Sequence, residues 1–326
     1  MSLPRERLAW IDRMRGLAIL SVVIQHSTNY FVGDFVYAKV IGIANMAVFF
    51  FISGFIWEKT ARVETLSAAG KFLVKKTRQL FLPLVVWNFV SPFFFTTDWQ
   101  MLTLADVVEA YREPHLWFLL TLYGYAFYFA AFRIFSKWGG QKIGVCFWIL
   151  ALAALFVVWR KFGWFKFETL YFVYFAFGVL ISRFRKEERV LGNQWTVGLS
   201  LVCVLLLTAF WSSGATSLTN IVVKVAVSFS VICLTYLCCT RFVWLSPCES
   251  FIQLCGRCSL AIYILHWPFT HLTATKFEWP QTELLAFVPI VIYGILICYV
   301  CIGLKLVVSL SRVMNFLLFG EVLKKR

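Results

Sequence analysis

The sequence has little charge. Charged residues make up 14% of its 326 residues, against about 25% in an ordinary soluble domain, and only 16 of them are acidic. Hydrophobic residues reach 61% and the mean hydropathy is +0.79. This composition excludes a disordered chain and a cytosolic enzyme, and it argues against a nucleic-acid-binding module. The net charge of +15 is what the basic cytoplasmic loops of a membrane protein would give.

Several other features are absent from the sequence. It has no linker rich in proline and serine, no internal repeat, no cleavable signal peptide, no phosphate-binding glycine loop and no Gly-x-Ser-x-Gly motif. Cys255 and Cys258 have the spacing of half a zinc site, but no second pair completes it. We therefore expect residues 1–326 to form a single integral membrane domain without a metal or a tightly bound cofactor.

Long apolar segments dominate what is present. A helix needs roughly 20 apolar residues to cross the hydrocarbon core of a membrane. The pattern predicts an all-α, polytopic membrane protein with about ten transmembrane helices. The predicted spans are Gly16–Val32, Val40–Trp57, Leu80–Phe95, Leu116–Ile134, Ile143–Val158, Phe167–Ile181, Val197–Trp211, Ile221–Cys239, Leu260–Thr273 and Leu284–Leu304.

Lysine and arginine set the predicted orientation. With ten spans and a cytoplasmic N-terminus, 24 of the 31 Lys and Arg residues fall on the inner side. The positive-inside rule then places both termini in the cytoplasm.

His26 and Arg15 are ionisable residues in or beside the first span, where such groups are expensive to keep. They are eleven residues apart, which is about three helical turns, so both lie on one helix face roughly 16 Å apart along the axis. Asp12 precedes Arg15 by three residues and can pair with it. Neutral imidazole suits removal of a proton from a hydroxyl, since its reference pKa of about 6.5 is near neutral pH. The alternative for His26 is a structural histidine satisfied by a neighbouring helix.

A basic cluster precedes the third span and includes Lys75, Lys76 and Arg78. It can be read as a site for phosphates at the cytoplasmic mouth of the protein or as the positive-inside signal alone. Further candidate cavity-lining residues are Asp12, Ser53, His115, Trp117, Tyr263 and His266.

Five motifs, in order along the chain, resemble those of the membrane-bound acyltransferase-3 family. They are Trp10–Ile19 with Gln25 and His26, Phe49–Phe55, Lys75–Pro83, His115–Leu119 and Ser259–His266.

The resemblance implies an O-acyltransferase with about ten spans in the bacterial cytoplasmic (inner) membrane. Its donor would be acyl-CoA reached from the cytoplasm, with acetyl-CoA expected because acetyl is the commonest donor group. The acceptor would be a hydroxyl of a surface polysaccharide or its lipid-linked precursor. His26 would be the catalytic base and Arg15 its partner. Lys75 and Arg78 match the spacing of the family's paired basic residues, although counting back from Pro83 places the second position at Gln79.

The expected partners are acetyl-CoA, a glycan acceptor and membrane lipids, with no nucleic acid. A different class of function is a polytopic transporter or flippase of a glycan or lipid-linked intermediate, since such proteins also keep intramembrane charges. Release of free CoA would distinguish the enzyme from the transporter.

Overall fold

The computed structural model describes residues 9–31, 36–61, 63–95, 108, 116–137, 168–210, 218–242, 245–271 and 283–322. Within these ranges the chain is helical and contains no strand, which confirms the all-α prediction. The helices are α1 Ala9–Phe31, α2 Val36–Thr60, α3 Leu66–Lys76, α4 Leu82–Phe95, α5 Trp117–Lys137, α6 Phe172–Phe184, α7 Glu187–Leu191, α8 Gln194–Leu207, α9 Leu218–Arg241, α10 Ser246–Arg257, α11 Ser259–His271, α12 Glu283–Val308 and α13 Arg312–Phe319. A π-helical turn, Thr77–Phe81, joins α3 to α4, and two 3-10 turns cover Thr169–Tyr171 and Thr208–Phe210.

Helices occur at nine of the ten predicted spans, and the remaining one, Ile143–Val158, falls outside the described residues. Among the described residues, four helical segments are long and apolar enough to cross a membrane: Ile41–Thr60, Trp117–Lys137, Leu218–Arg241 and Phe287–Val308. A pair of helices bent by 90°, α10 with α11, makes a fifth such segment if it counts as one broken span. The chain is therefore a multi-pass membrane protein. The number ten and the orientation of the termini stay predictions.

The chain divides into two compact units, described here one at a time. The first consists of Met1–Phe55 and Tyr174–Lys305. In it α1 packs most closely on α10, because glycine lets the two backbones meet: a Cβ at Gly16 would overlap the carbonyl of Ile252, and one at Gly256 that of Asp12. The expectation of a single domain stays a prediction.

The second unit consists of Ile56–Val173 and Leu306–Arg326. Its C-terminal helix α13 begins at the N-cap Ser311 and ends at Gly320, whose φ of +63° is a conformation that favours glycine. Gly320 packs so closely on the π-helical turn that a Cβ there would overlap the carbonyl of Arg78. Trp87 of α4 donates from Nε1 to the Leu318 carbonyl at 3.1 Å, which also holds α13 in place.

Candidate active site

Helix α1 carries the two residues that the sequence placed at the centre of the site. It runs unbroken from Ala9 to Phe31, so Arg15 and His26 share one face roughly 16 Å apart along the axis. Both side chains are half-buried, whereas Asp12 is buried with 6% of its surface exposed.

The start of α1 is held by an ion pair that sequence reasoning missed. The guanidinium of Arg13 donates to Glu249 Oε1 from Nε at 3.1 Å and from Nη2 at 2.5 Å, and to the Cys239 carbonyl at 2.6 Å. Gln253 donates to the same carboxylate oxygen at 2.8 Å. The sequence pattern suggested only the local pair of Asp12 with Arg15, because Glu249 lies 236 residues from Arg13.

Two aromatic rings from α11 lie beside His26. The ring centroids of His26 and His266 are 5.2 Å apart, with the planes tilted by 44°. The indole of Trp267 meets His26 nearly edge to face, with centroids 4.9 Å apart. The structure therefore brings together two histidines that are 240 residues apart in the sequence. The sequence analysis predicted each of them as a site residue but did not predict their contact.

His266 is buried, with 2% of its surface exposed, and its own helix fixes its ring. Nδ1 lies 3.0 Å from the Ile262 carbonyl oxygen and 2.8 Å from the Tyr263 carbonyl oxygen. A carbonyl only accepts hydrogen bonds, so Nδ1 carries a proton. Burial disfavours the charged ring, and in the neutral ring Nε2 then carries the lone pair. Nε2 is buried and has no hydrogen-bond partner among the residues that the structure describes.

The helix that carries His266 follows a sharp break in the chain. The chain bends by 90° between α10 and α11, and the Cys258 amide donates to the Leu254 carbonyl at 2.9 Å as α10 ends. Tyr263 is buried, with its ring centroid 6.0 Å from that of His266. On α12, Tyr293 donates from its hydroxyl to the Phe269 carbonyl at 2.6 Å and so anchors α11 beyond the histidine.

Gln25, next in sequence to His26, pairs its half-buried amide with the buried amide of Asn45. Asn45 of α2 donates from Nδ2 to Gln25 Oε1 at 2.5 Å, and the Met46 amide donates to Asn45 Oδ1 at 2.6 Å. A Cβ at Gly42 would lie 2.7 Å from Gln25 Nε2, so any residue other than glycine would force the Gln25 amide to move. Gln25 belongs to the first sequence motif, but nothing in the sequence indicated its partner.

The basic cluster belongs to the second unit. Lys75 is exposed, while Lys76 is half-buried with Nζ 5.7 Å from the ring centroid of Phe72. Arg78 lies in the π-helical turn and is half-buried; its Nε is buried without a hydrogen-bond partner in the described part of the chain. Such π-helical turns are rare and frequently occur at functional sites.

The backbone of this turn is fixed by Thr77. Its hydroxyl donates to the Leu73 carbonyl at 2.9 Å and hydrogen-bonds the Tyr123 hydroxyl of α5 at 2.9 Å. The turn thus presents Arg78 from a braced backbone.

The remaining predicted residues are dispersed. Ser53 is half-buried on α2, and Trp117 stacks on Tyr171 in the second unit with centroids 5.5 Å apart. His115 lies outside the described residues. Of the predicted residues, the contacts group His26, Tyr263 and His266 in one place; Lys75, Lys76 and Arg78 form a separate cluster.

Fold and site together define a helical, multi-pass membrane protein whose first helix carries a histidine paired with a second, buried histidine. Residues 8–303 match the family of acyltransferase-3 proteins, described as an acyltransferase domain. Because the match covers far more than half of the chain, the protein belongs to this acyltransferase family, and the resemblance noted in the sequence is confirmed. Neither a curated protein nor a solved structure matches the chain significantly.

Proposed function

We propose that this acyltransferase is an acyl-CoA-dependent O-acetyltransferase of the bacterial inner membrane. It moves an acetyl group from cytoplasmic acetyl-CoA to a sugar hydroxyl of a surface polysaccharide or its lipid-linked precursor. His26 is the general base, Arg15 is its partner on the same helix face, and Lys75, Lys76 and Arg78 hold the donor.

The observation that carries this proposal is the position of His26 beside the buried, neutral His266, 5.2 Å away between ring centroids. His26 takes the proton of the acceptor hydroxyl, and the hydroxyl oxygen attacks the carbonyl carbon of the thioester. The new C–O bond forms, the C–S bond breaks, and the sulfur of CoA takes the proton back from His26. A second course, in which His26 itself is acetylated first, would leave a modified histidine when donor is supplied alone.

Arg78 supports the donor half of the proposal. A guanidinium is a planar fork of donors that matches phosphate oxygens, and its charged hydrogen bonds are about twice as strong as neutral ones. The Arg78 Nε–H is buried without a partner among the described residues, so an anion that reached it would satisfy an otherwise costly group. The nucleotide end of acetyl-CoA carries such phosphates.

The test is acetyl transfer from labelled acetyl-CoA in membranes that contain the wild-type chain or His26→Ala. We expect release of CoA together with acetylated glycan from the wild type, and loss of both in the variant at equal protein level. His271→Ala is the matched control, because His271 is the last residue of α11 and has no role in the proposed mechanism, and it should keep full activity. Movement of an unmodified glycan without CoA release would instead support the transporter.

A further inference from the structure

Nε2 of His266 is a buried hydrogen-bond acceptor next to the proposed base. Its ring is fixed because Nδ1–H is committed to the carbonyls of Ile262 and Tyr263, so the ring cannot turn over without losing both contacts. Native proteins rarely leave a buried acceptor unsatisfied, because its lost hydrogen bond to water is then not replaced. No donor reaches this nitrogen from the described residues, although the ring of His26 is only 5.2 Å away.

The chemistry of Nε2 restricts what can satisfy it. A neutral imidazole nitrogen with a lone pair takes an O–H or N–H donor, and it has nothing to offer an anion. The phosphates and the thioester of a CoA donor carry no such hydrogen, and the amide N–H groups of its pantetheine arm are the competing donors that the KM for acetyl-CoA tests below. A sugar carries several hydroxyls on adjacent carbons, and each is a donor.

We propose that His266 is an acceptor-binding residue whose Nε2 accepts a hydrogen bond from the hydroxyl adjacent to the one that becomes acetylated. The two histidines have different roles, because the proton of one hydroxyl cannot bind both nitrogens. His26 removes the proton from the attacking oxygen, and His266 accepts a hydrogen bond from the hydroxyl on the adjacent carbon. The acceptor class is therefore a sugar with two adjacent hydroxyls, and this inference rests on the proposed function.

Two substitutions distinguish an acceptor-binding role of His266 from a purely structural one. His266→Asn places an amide N–H near the position of Nδ1, so it can keep the contact with the helix carbonyls but has no acceptor at the position of Nε2. His266→Gln places an amide oxygen near Nε2. A purely structural histidine would be replaced better by asparagine, whereas an acceptor-binding histidine would be replaced better by glutamine.

The kinetic probe is a series of methyl hexopyranosides with their single-deoxy analogues, used with the purified full chain and acetyl-CoA. We expect His266→Asn to raise the KM for the glycoside about tenfold, as loss of one buried hydrogen bond implies, with the KM for acetyl-CoA unchanged. We expect His266→Gln to recover most of that loss. Removing the adjacent hydroxyl should raise the KM of the wild type by a similar factor and add nothing in His266→Asn.

Three kinetic results would overturn the inference. One is a fall in kcat with an unchanged glycoside KM, which would make His266 a positioning residue for His26. Another is recovery by asparagine and not by glutamine, which would make it structural. The third is full additivity of the deoxy and His266→Asn effects.

A second readout does not require turnover. Diethyl pyrocarbonate modifies unprotonated imidazole nitrogen, so it should label Nε2 of His266 in the wild type, and a methyl hexopyranoside should slow the labelling. Tandem mass spectrometry distinguishes His266 from His271 on the same tryptic peptide. If the glycoside slows the labelling but the protein acetylates no glycoside, the binding site is supported and the proposed function is refuted. Absence of labelling at His266, or labelling that the glycoside leaves unchanged, would remove the binding site itself.

Discussion

The histidine pair of the first unit and the basic turn of the second differ in charge and in what they leave unsatisfied. His266 is neutral in its fixed tautomer and leaves a buried lone pair at Nε2, whereas Arg78 is cationic and leaves a buried N–H at Nε. A lone pair recruits hydroxyls, and a cationic N–H recruits anions. The two regions thus have the opposite polarities that the proposed acyl-CoA donor and hydroxyl acceptor call for.

The backbones that present these groups also differ. His266 lies on α11, directly after a 90° bend, and its ring is bonded to its own helix. Arg78 lies where α-helical geometry gives way to one π-helical turn, braced by the Thr77 bond to Tyr123. Substitutions in the two regions should therefore affect the acceptor and the donor separately.

The largest effect is expected at His26. We expect His26→Gln to lower kcat by about 10²–10⁴, which is the usual contribution of a general base, because the amide cannot take a proton. The KM for acetyl-CoA should stay near its wild-type value, since the donor is held elsewhere. Steady-state kinetics on the purified chain would measure both. A large rise in that KM would contradict the separation of the two regions.

Arg78 should show the opposite kinetic pattern. We expect Arg78→Gln to raise the KM for acetyl-CoA by about 10–100-fold, which corresponds to loss of hydrogen bonds to a charged group, with little change in kcat. Arg78→Lys should recover only part of it, because an ammonium lacks the planar fork. Lys75→Gln is the matched control: Lys75 is exposed, so its loss should have a smaller effect. An unchanged KM for acetyl-CoA in both variants would reduce the cluster to a topology signal.

Sequence reasoning found the members of both regions but not their contacts. Apolar length predicted helices, and the cost of ionisable groups in apolar runs selected His26, Arg15 and His266. The contact of His26 with His266 depends on how α1 packs on α11, and helix periodicity carries no information on pairing between distant segments. The same reason hid the bond of Arg13 to Glu249 and that of Gln25 to Asn45.

The π-helical turn was missed for another reason. The sequence of Thr77–Phe81 itself is that of an ordinary helix, and the signal overlooked is Pro83, which has no N–H to offer the Gln79 carbonyl four residues earlier. That turn bears on the choice between Arg78 and Gln79 as the second basic position. Both side chains are half-buried, but it is Arg78 whose Nε is buried and unsatisfied within the described chain.

The close crossing of α1 and α10 should be the most sensitive packing contact of the first unit. We expect Gly256→Ala to destabilise the protein by about 1–3 kcal/mol, because the new methyl group meets the backbone of Asp12, which cannot move without separating the helices. Gly198→Ala is the control: it lies in α8 with open space around it, and alanine there should gain up to about 1 kcal/mol. Thermal unfolding in detergent would measure both. Equal midpoints for the two variants would refute this account of the crossing.

Gly320 is the counterpart in the second unit, with a smaller expected cost. We expect Gly320→Ala to destabilise the C-terminal cap by about 1–2 kcal/mol, because alanine is strained at a φ of +63°. Its methyl group would also press on the Arg78 carbonyl, so the KM for acetyl-CoA should rise while the glycoside KM stays unchanged. Gly70→Ala, in open space on α3, should alter neither. A changed glycoside KM in Gly320→Ala would show that the cap acts beyond the donor region.

The smallest effects are expected at three ion pairs. Each unit has one pair in which the arginine also donates to a backbone carbonyl. Arg13 pairs with Glu249 in the first unit and also bonds the Cys239 carbonyl. Arg133 pairs with Glu58 at 2.7 Å in the second and also bonds the Ala61 carbonyl. The exposed counterpart is Glu188 with Arg241.

The arginines of the Arg13–Glu249 and Arg133–Glu58 pairs are partly buried. Glu249→Gln and Glu58→Gln should therefore each cost about 1 kcal/mol of stability through loss of a charged hydrogen bond. Glu188→Gln should cost about 0–1 kcal/mol, as exposed pairs do, and less than either of the others. Unfolding midpoints at low and high salt would test the order, since salt screens the exposed pair most strongly. If Glu188→Gln proved the most damaging, burial would not be what ranks these pairs. A change in either KM would tie them to substrate binding, which their positions near helix ends do not require.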